Sequence, residues 1–250
     1  MSKLLIVEES KILCGIFKRL LDKDTTFDYD IVQSYKDAET FLSKSSYDFS
    51  VVSRSLPDAS HGEIIALLNK NAVAPIVYTD EIDEDFMESF ESAHIVEYIL
   101  RHRYDNVKYV LSRLKELKEN KSRTILVVHK SEIHRRYMKQ NLRLHNFNVI
   151  LVESAYEAMQ KLEVQDNINL LIVNNELTQV NGLEDVDGLE LVRRVRSMKK
   201  DHLRIIAFAT EPNSYLTSYF LNEGADDYLM DDYSRDELYV RIYQNLKKID

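Results

Sequence analysis

Cysteine, glycine, proline and tryptophan are scarce or missing in this chain, and each scarcity removes a class of explanation. Cys14 is the single cysteine, so neither an intrachain disulfide nor a thiolate metal cluster can form. It falls in a helical stretch, where a buried reduced thiol is the default and a catalytic one the exception. With five glycines in all, there is no glycine-rich phosphate loop, which argues against nucleotide binding of the Rossmann or P-loop kind. No apolar run is long enough for a membrane span, and the opening MSKLLIVEES meets acids too soon to be a signal peptide. Basic charge is in deficit. The formal net charge is −9, which disfavours non-specific nucleic-acid and anionic-membrane partners. A reducing cytoplasm is the compartment consistent with these features.

What is present is a regular alternation of short apolar runs and longer stretches of helical period, the pattern of a parallel sheet covered on both faces. Strands are predicted at Leu4–Val7, Tyr29–Val32, Phe49–Val52, Ile76–Tyr78 and Ile95–Ile99, with helices near 11–22, 36–44, 62–70, 82–92 and 105–118. The order then repeats. Strands fall at Thr124–Val128, Val149–Val152, Leu170–Val173, Ile205–Phe208 and Asp227–Leu229, with helices near 132–144, 155–163, 188–198, 213–222 and 235–247.

LIVEES (Leu5–Ser10) matches LVVHKS (Leu126–Ser131) at an offset of 121, which Ser53 and Asn174 keep; Thr79 and Ala209, Tyr98 and Tyr228, and Arg101 and Asp231 pair at 130. Two constant offsets mean one fold copied twice, with about nine net residues inserted between the third and fourth strands, much of them expected in NNELTQVNGLEDVDG (174–188). The predicted architecture is α/β, two (βα)5 doubly wound parallel sheets in tandem. Domains are expected at 1–119 and 124–250 with 120–123 as linker. The charged stretch 115–123 is suited to extending the last helix of the first copy.

In an open parallel sheet the functional crevice lies beyond the carboxyl ends of the strands. The residues there are Glu8, Glu9, Ser53, Thr79 and Arg101 in the first copy, and His129, Lys130, Asn174, Ala209 and Asp231 in the second. With LLIVEES, ILVVHKS, YDFSVVSRSLPD, VEYILRH and GADDYLMDD, these positions resemble two receiver domains of bacterial two-component response regulators, a flavodoxin-like fold. In such receivers an acidic pair and an aspartate on the third strand hold Mg²⁺, and the aspartate takes a phosphoryl group from a phosphohistidine or a small phosphodonor. A hydroxyl on the fourth strand and a lysine on the fifth bind the phosphoryl oxygens.

By that resemblance Ser53 and Asn174 stand at the phosphoacceptor positions, and neither side chain can form an acyl phosphate. Glu8 and Glu9 are an acidic pair with weak Mg²⁺ binding at most; His129 and Lys130 replace that pair in the second copy. Thr79 and Ala209 take the hydroxyl position, Arg101 and Asp231 the cation position, and Tyr98 and Tyr228 the place of an aromatic switch, with an ordinary half-buried tyrosine as the plain reading. Arg101 is suited to pairing with the glutamates across its pocket. In the second copy Lys130 and Asp231 have exchanged charges, which suggests a salt bridge in place of the ion. Solvent exposure of both is the alternative.

No catalytic residue or cofactor is expected, and the chain is read as a signalling module rather than an enzyme. It would act by protein contact on an output domain, a histidine kinase or a phosphotransfer protein. Tandem receivers of this form commonly precede a GGDEF-type diguanylate cyclase, and a homodimer through the last helices and strands is a family habit. Two rivals stand beside this: a hydrolase or transferase using Ser53 with His61 or His102 as base, and phosphorylation elsewhere, as at Asp58. The acidic run DEIDED (80–85) reads as a solvated helix start, and Glu184, Asp185 and Asp187 lack the spacing of a calcium loop. His134, Arg135 and Arg136 read as a solvated basic face, or by resemblance as a partner surface.

Overall fold

The computed structural model describes residues 2–81, 93–101, 106–180, 186–200, 202–209, 214–230 and 232–247. The predicted helix at 82–92 lies outside them. The chain divides into two compact units, Met1–Glu119 and Asn120–Asp250.

In the first unit β1 (Ser2–Val7), β2 (Phe27–Val32), β3 (Phe49–Ser53), β4 (Pro75–Thr79) and β5 (Glu97–Leu100) form one parallel sheet in the order β2-β1-β3-β4-β5. The described helices are α1 (Lys11–Leu21), α2 (Tyr35–Lys44), α3 (Glu63–Lys70) and α4 (Asn106–Asn120). The second unit repeats the plan with β6 (Thr124–Val128), β7 (Asn148–Val152), β8 (Ile168–Asn174), β9 (Arg204–Ala209) and β10 (Asp227–Met230), in the order β7-β6-β8-β9-β10. Its helices are α5 (Glu132–Leu144), α6 (Ala155–Val164), α7 (Gly188–Ser197), α8 (Ser214–Asn222) and α9 (Arg235–Leu246). These are two flavodoxin-like α/β folds in tandem.

Strands rather than helices form at these runs because every side chain of β3, β4 and β6 is buried, which only a strand covered on both faces allows. Successive residues go to opposite faces. Leu4, Ile6, Val51 and Ile76 pack with Phe17 of α1 and Val110 and Leu114 of α4. Leu5, Val7, Val52 and Val77 pack with Leu42 of α2 and Ile65 and Leu68 of α3. Each fully buried aliphatic side chain contributes roughly 1.5–3 kcal/mol, and a one-residue slip of a central strand would send each side chain into the wrong one of two packed faces. The helices start where a hydroxyl can take an exposed amide: Ser10 accepts from Leu13 N–H, and Ser131 from His134 N–H.

The inserted residues are more dispersed than the sequence suggests. Thirteen residues separate β8 from α7 against nine between β3 and α3, and the rest lengthen α7, the turn after it and β9. The fifth strand of the first unit begins two residues later than expected; Ile95 and Val96 are buried but precede β5, with Val96 N–H on the Pro75 carbonyl at 2.9 Å. Helix α4 runs through 115–120. Asn120, the first residue of the second unit, is buried and donates to the Tyr243 hydroxyl of that unit at 2.9 Å.

The GADD stretch before β10 is fixed by one guanidinium. Arg196 donates to the Gly224 carbonyl (2.6 Å), the Leu203 carbonyl (2.8 Å) and Asp226 Oδ2 (2.6 Å); Asp226 also accepts from Arg204 and from Ile205 N–H. Gly224 has φ +105°, and a Cβ there would sit 2.8 Å from Arg196 Cγ. Gly188 opens α7 against the end of β8, where a Cβ would lie 2.2 Å from the Asn174 carbonyl oxygen. Because that neighbour is backbone, Gly188→Ala is expected to destabilise the second unit by about 1–3 kcal/mol, measured by urea denaturation.

Candidate functional site

The parallel register places the ends of β1, β3 and β4 side by side: Val7 pairs with Val52, and Ser53 with Tyr78. Glu8 leaves β1 with its N–H on the Val32 carbonyl, and Arg101 leaves β5 with its N–H on the Thr79 carbonyl, so both point from the same rim. Glu8 is 2% exposed. Its Oε1 accepts from Ser10 N–H at 2.9 Å and its Oε2 from Arg101 Nη2 at 2.7 Å. Arg101 also reaches Asp80 Oδ2 at 3.3 Å and lies over the Tyr78 ring at 5.2 Å from its centroid. Burial pushes the Glu8 carboxyl above its ordinary value, against the Ser10 amide and Arg101, which pull it down. Cys14 Sγ donates to the Glu8 carbonyl, which fixes the turn from below.

Glu9 is exposed and does not join this pair. Ser53 and Thr79 are buried, and each hydroxyl donates to a carbonyl two residues on, Ser55 at 2.8 Å and Glu81 at 3.0 Å. Tyr98 is half-buried against the cluster that contains Ile65 and Val77.

The second unit keeps the positions and changes the chemistry. His129 Nδ1 accepts from Ser131 N–H at 2.9 Å, as Glu8 does from Ser10, and this bond assigns the proton of the neutral ring to Nε2. Its ring stacks on His134 at 4.6 Å. Asn174 is buried, and its Oδ1 accepts from Glu176 N–H at 2.8 Å. Ala209 is buried at the end of β9. Tyr228 is half-buried, 6.0 Å from the Phe220 ring. Arg135 donates to the His129 and Lys130 carbonyls and to Glu153 Oε2 at 3.0 Å, tying the turn after β6 to the start of α6.

Comparisons with known proteins agree with this geometry. The profile of the response regulator receiver domain matches residues 125–243. A chemotaxis protein CheY homolog of Campylobacter jejuni is 32% identical over 108 residues, 42% of this chain and 78% of that protein. The chain belongs to the response regulator receiver family. Response regulator ArlR of Staphylococcus haemolyticus is 27% identical over 124 residues, and this chain spans about half of its length (52%). Two solved structures described as two-component system response regulator/GGDEF domain proteins cover 100% of this chain and 99% of their own. Each aligns with a TM-score of 0.85, at 25% and 26% identity. Receiver domains are regulatory rather than catalytic, and they interact with proteins such as kinases and output domains.

Within the two receiver units the structure brings Glu8 and Arg101 together, and it places Ser53 and Asn174 at the ends of equivalent strands. The expected partner of Lys130, Asp231, lies outside the described residues, as do His102, Glu184 and Asp185. Lys130 pairs with Glu176, and both side chains are about half exposed, so that pair contributes about 0–1 kcal/mol. The backbone N–H of His61 donates to Glu63 Oε2 at 2.8 Å. Asp58 accepts from the N–H groups of Tyr35 and Lys36 at 2.8 and 3.1 Å; these amides hold its carboxyl below the ordinary carboxylate range and make it a second cap of α2 beside Ser34. Sequence reasoning missed Asp80, Glu176 and the stitching role of Arg135. Glu176 is the one with a signal, an acid two residues past the third strand.

Arg101→Ala strands the Glu8 carboxylate in a buried site and should lower stability by about 3 kcal/mol in chemical denaturation, with Glu8→Gln/Arg101→Met losing less. A raised carboxyl binds its proton more tightly in the folded state than in the unfolded one. Its contribution is therefore full at acid pH and lost as pH climbs through the raised value. The melting temperature of Glu8→Gln relative to the parent should rise over that same window, and a constant difference from acid to neutral pH would contradict it.

Proposed function

We propose that this chain is a two-component signalling module whose two receiver units no longer accept a phosphoryl group and act by protein contact. The observation that supports this most is at the ends of β3 and β8. Ser53 and Asn174 present neutral side chains whose hydrogen bonds close back on their own loops, to Ser55 and Glu176. An acyl phosphate needs a carboxylate there, and neither residue supplies one.

The residues do not fit Mg²⁺ either, a hard cation that demands several oxygen ligands in near-octahedral array. In the first unit the buried carboxylate of Glu8 is already held by an amide and a guanidinium, and Glu9 stands apart in solvent. The second unit offers an imidazole, an ammonium and an amide at the same places. Among the described residues no group of three or more His, Cys, Asp or Glu side chains is arranged to hold a metal ion.

In this reading the first unit is silenced around a surviving pocket, with the Arg101 cation seated on the carboxylate that a metal would use. The second is rebuilt, with Arg135 fixing the turn after β6. The partner is a histidine kinase, a phosphotransfer protein or an output domain, and the GGDEF descriptions of the two similar structures favour a diguanylate cyclase as output. The rival with Ser53 as nucleophile has no observation in its favour, since the hydroxyl donates to a carbonyl rather than to a base. Phosphorylation at Asp58 would break the cap of α2.

Incubation with acetyl phosphate and Mg²⁺, followed by intact-mass measurement, should leave the chain unmodified. A phosphoryl adduct on the parent chain overturns the reading. Its loss in Asp58→Asn would place the acceptor there.

A further inference from the structure

Beyond Glu176 the connection from β8 to α7 leaves the crevice described above and becomes a wall beside α6. Thr178 N–H donates to the Glu153 carbonyl at 2.9 Å, which pins this connection to the start of that helix. Val186, near its other end, is buried. Between the connection and α6 lies a cavity of about 510 Å³, the size of a small-molecule site.

The helical wall is a single stripe. Tyr156, Met159, Gln160 and Glu163 follow at i, i+3, i+4 and i+7, so they stand on one side of α6. Across from them are Thr178, Gln179, Val180 and Val186. A tyrosine ring that is 48% exposed, a thioether and two valines give the cavity an apolar body suited to a flat ring. The helix supplies acceptors farther along. Gln160 donates to the Tyr156 hydroxyl at 2.8 Å, which leaves its amide oxygen to accept. Glu163 is exposed and pairs with no base among the described residues. It lies in the last turn of α6, where the open carbonyls carry the negative end of the helix dipole. Arg194 also lines the cavity, but its Nε donates to Glu190 at 2.9 Å. The charge this end lacks is a positive one.

Counted from the caps Ser34 and Ser154, the same four places in the first unit are Lys36, Glu39, Thr40 and Ser43. A base opens that stripe and no acid closes it, so the arrangement is not repeated there.

We propose that this cavity binds an aromatic amine, its ring against Tyr156 and Met159 and its ammonium donating to the Glu163 carboxylate and the Gln160 amide oxygen. Such a site gives the second unit a chemical input that needs no phosphoryl group.

The chain contains no tryptophan, so tryptamine is the only indole in a mixture of the two and its fluorescence anisotropy reports binding directly. Titrating the full chain to about 2 mM into tryptamine should give a saturating rise with a Kd of about 0.1–1 mM, the range for so small a ligand. Added salt should weaken it, and indole-3-acetate, the same ring with the opposite charge, should bind at least ten-fold more weakly. Glu163→Gln should weaken tryptamine about ten-fold, and Met159→Lys, which brings an ammonium into the cavity, should abolish binding. No rise in anisotropy overturns the proposal, and so does equal binding of indole-3-acetate. A Kd that Glu163→Gln leaves unchanged also overturns it, since tryptamine would then sit elsewhere on an acidic surface. Because Glu163 is exposed, that variant keeps the fold and decides the matter even if Met159→Lys does not fold.

Discussion

Burial of both faces of a parallel ladder is the constraint on which everything else in each unit rests. Once β1, β3 and β4 carry apolar side chains up and down alike, the helices must cover both faces, and the only edge of the sheet open to chemistry is the row of strand carboxyl ends. Glu8, Ser53, Thr79 and Arg101 share a site for that reason, although 93 residues separate the first from the last. The same constraint acts again in the second unit, where the equivalent row has kept its positions while its side chains have exchanged charge and shape.

The two units answer the same electrostatic question differently. A carboxylate at the end of a buried strand needs a cation or it must be removed. The first unit keeps Glu8 and meets it with Arg101, which gains a second acid in Asp80 and a ring face in Tyr78. The second unit removes the acid. His129 satisfies the same backbone amide with a neutral nitrogen, and the guanidinium of Arg135 turns to carbonyl oxygens instead. The Glu8 carboxylate and the Ser131 amide are therefore met from within the chain, while Arg101 Nε is buried without a hydrogen-bond partner among the described residues.

The fold was legible because period and burial are local signals: β6 and α5 match their sequence expectations residue for residue, and most other boundaries move by one or two. β5 was placed early because Ile95 and Val96 are as apolar as a strand and pack on opposite faces as strand residues do, yet they precede the register with β4, which begins at Glu97. Much of the insertion was placed in 174–188 because offsets record only a net length. At the site, which residue ends each strand could be read, but its partner could not. Lys130 was matched to Asp231, which lies outside the described residues, and the acid seen beside it, Glu176, is brought there by the turn after β8. Asp58 looked available in a loop, and the cap it makes on α2 depends on two amides that no sequence pattern marks.

The seating of Arg101 on Glu8 also makes the two residues interdependent in any later change. A neutral residue at 101 would leave Glu8 buried and unbalanced, and a neutral residue at 8 would leave Arg101 only the exposed Asp80 to pair with. A substitution at either place is therefore tolerated best when the other changes with it.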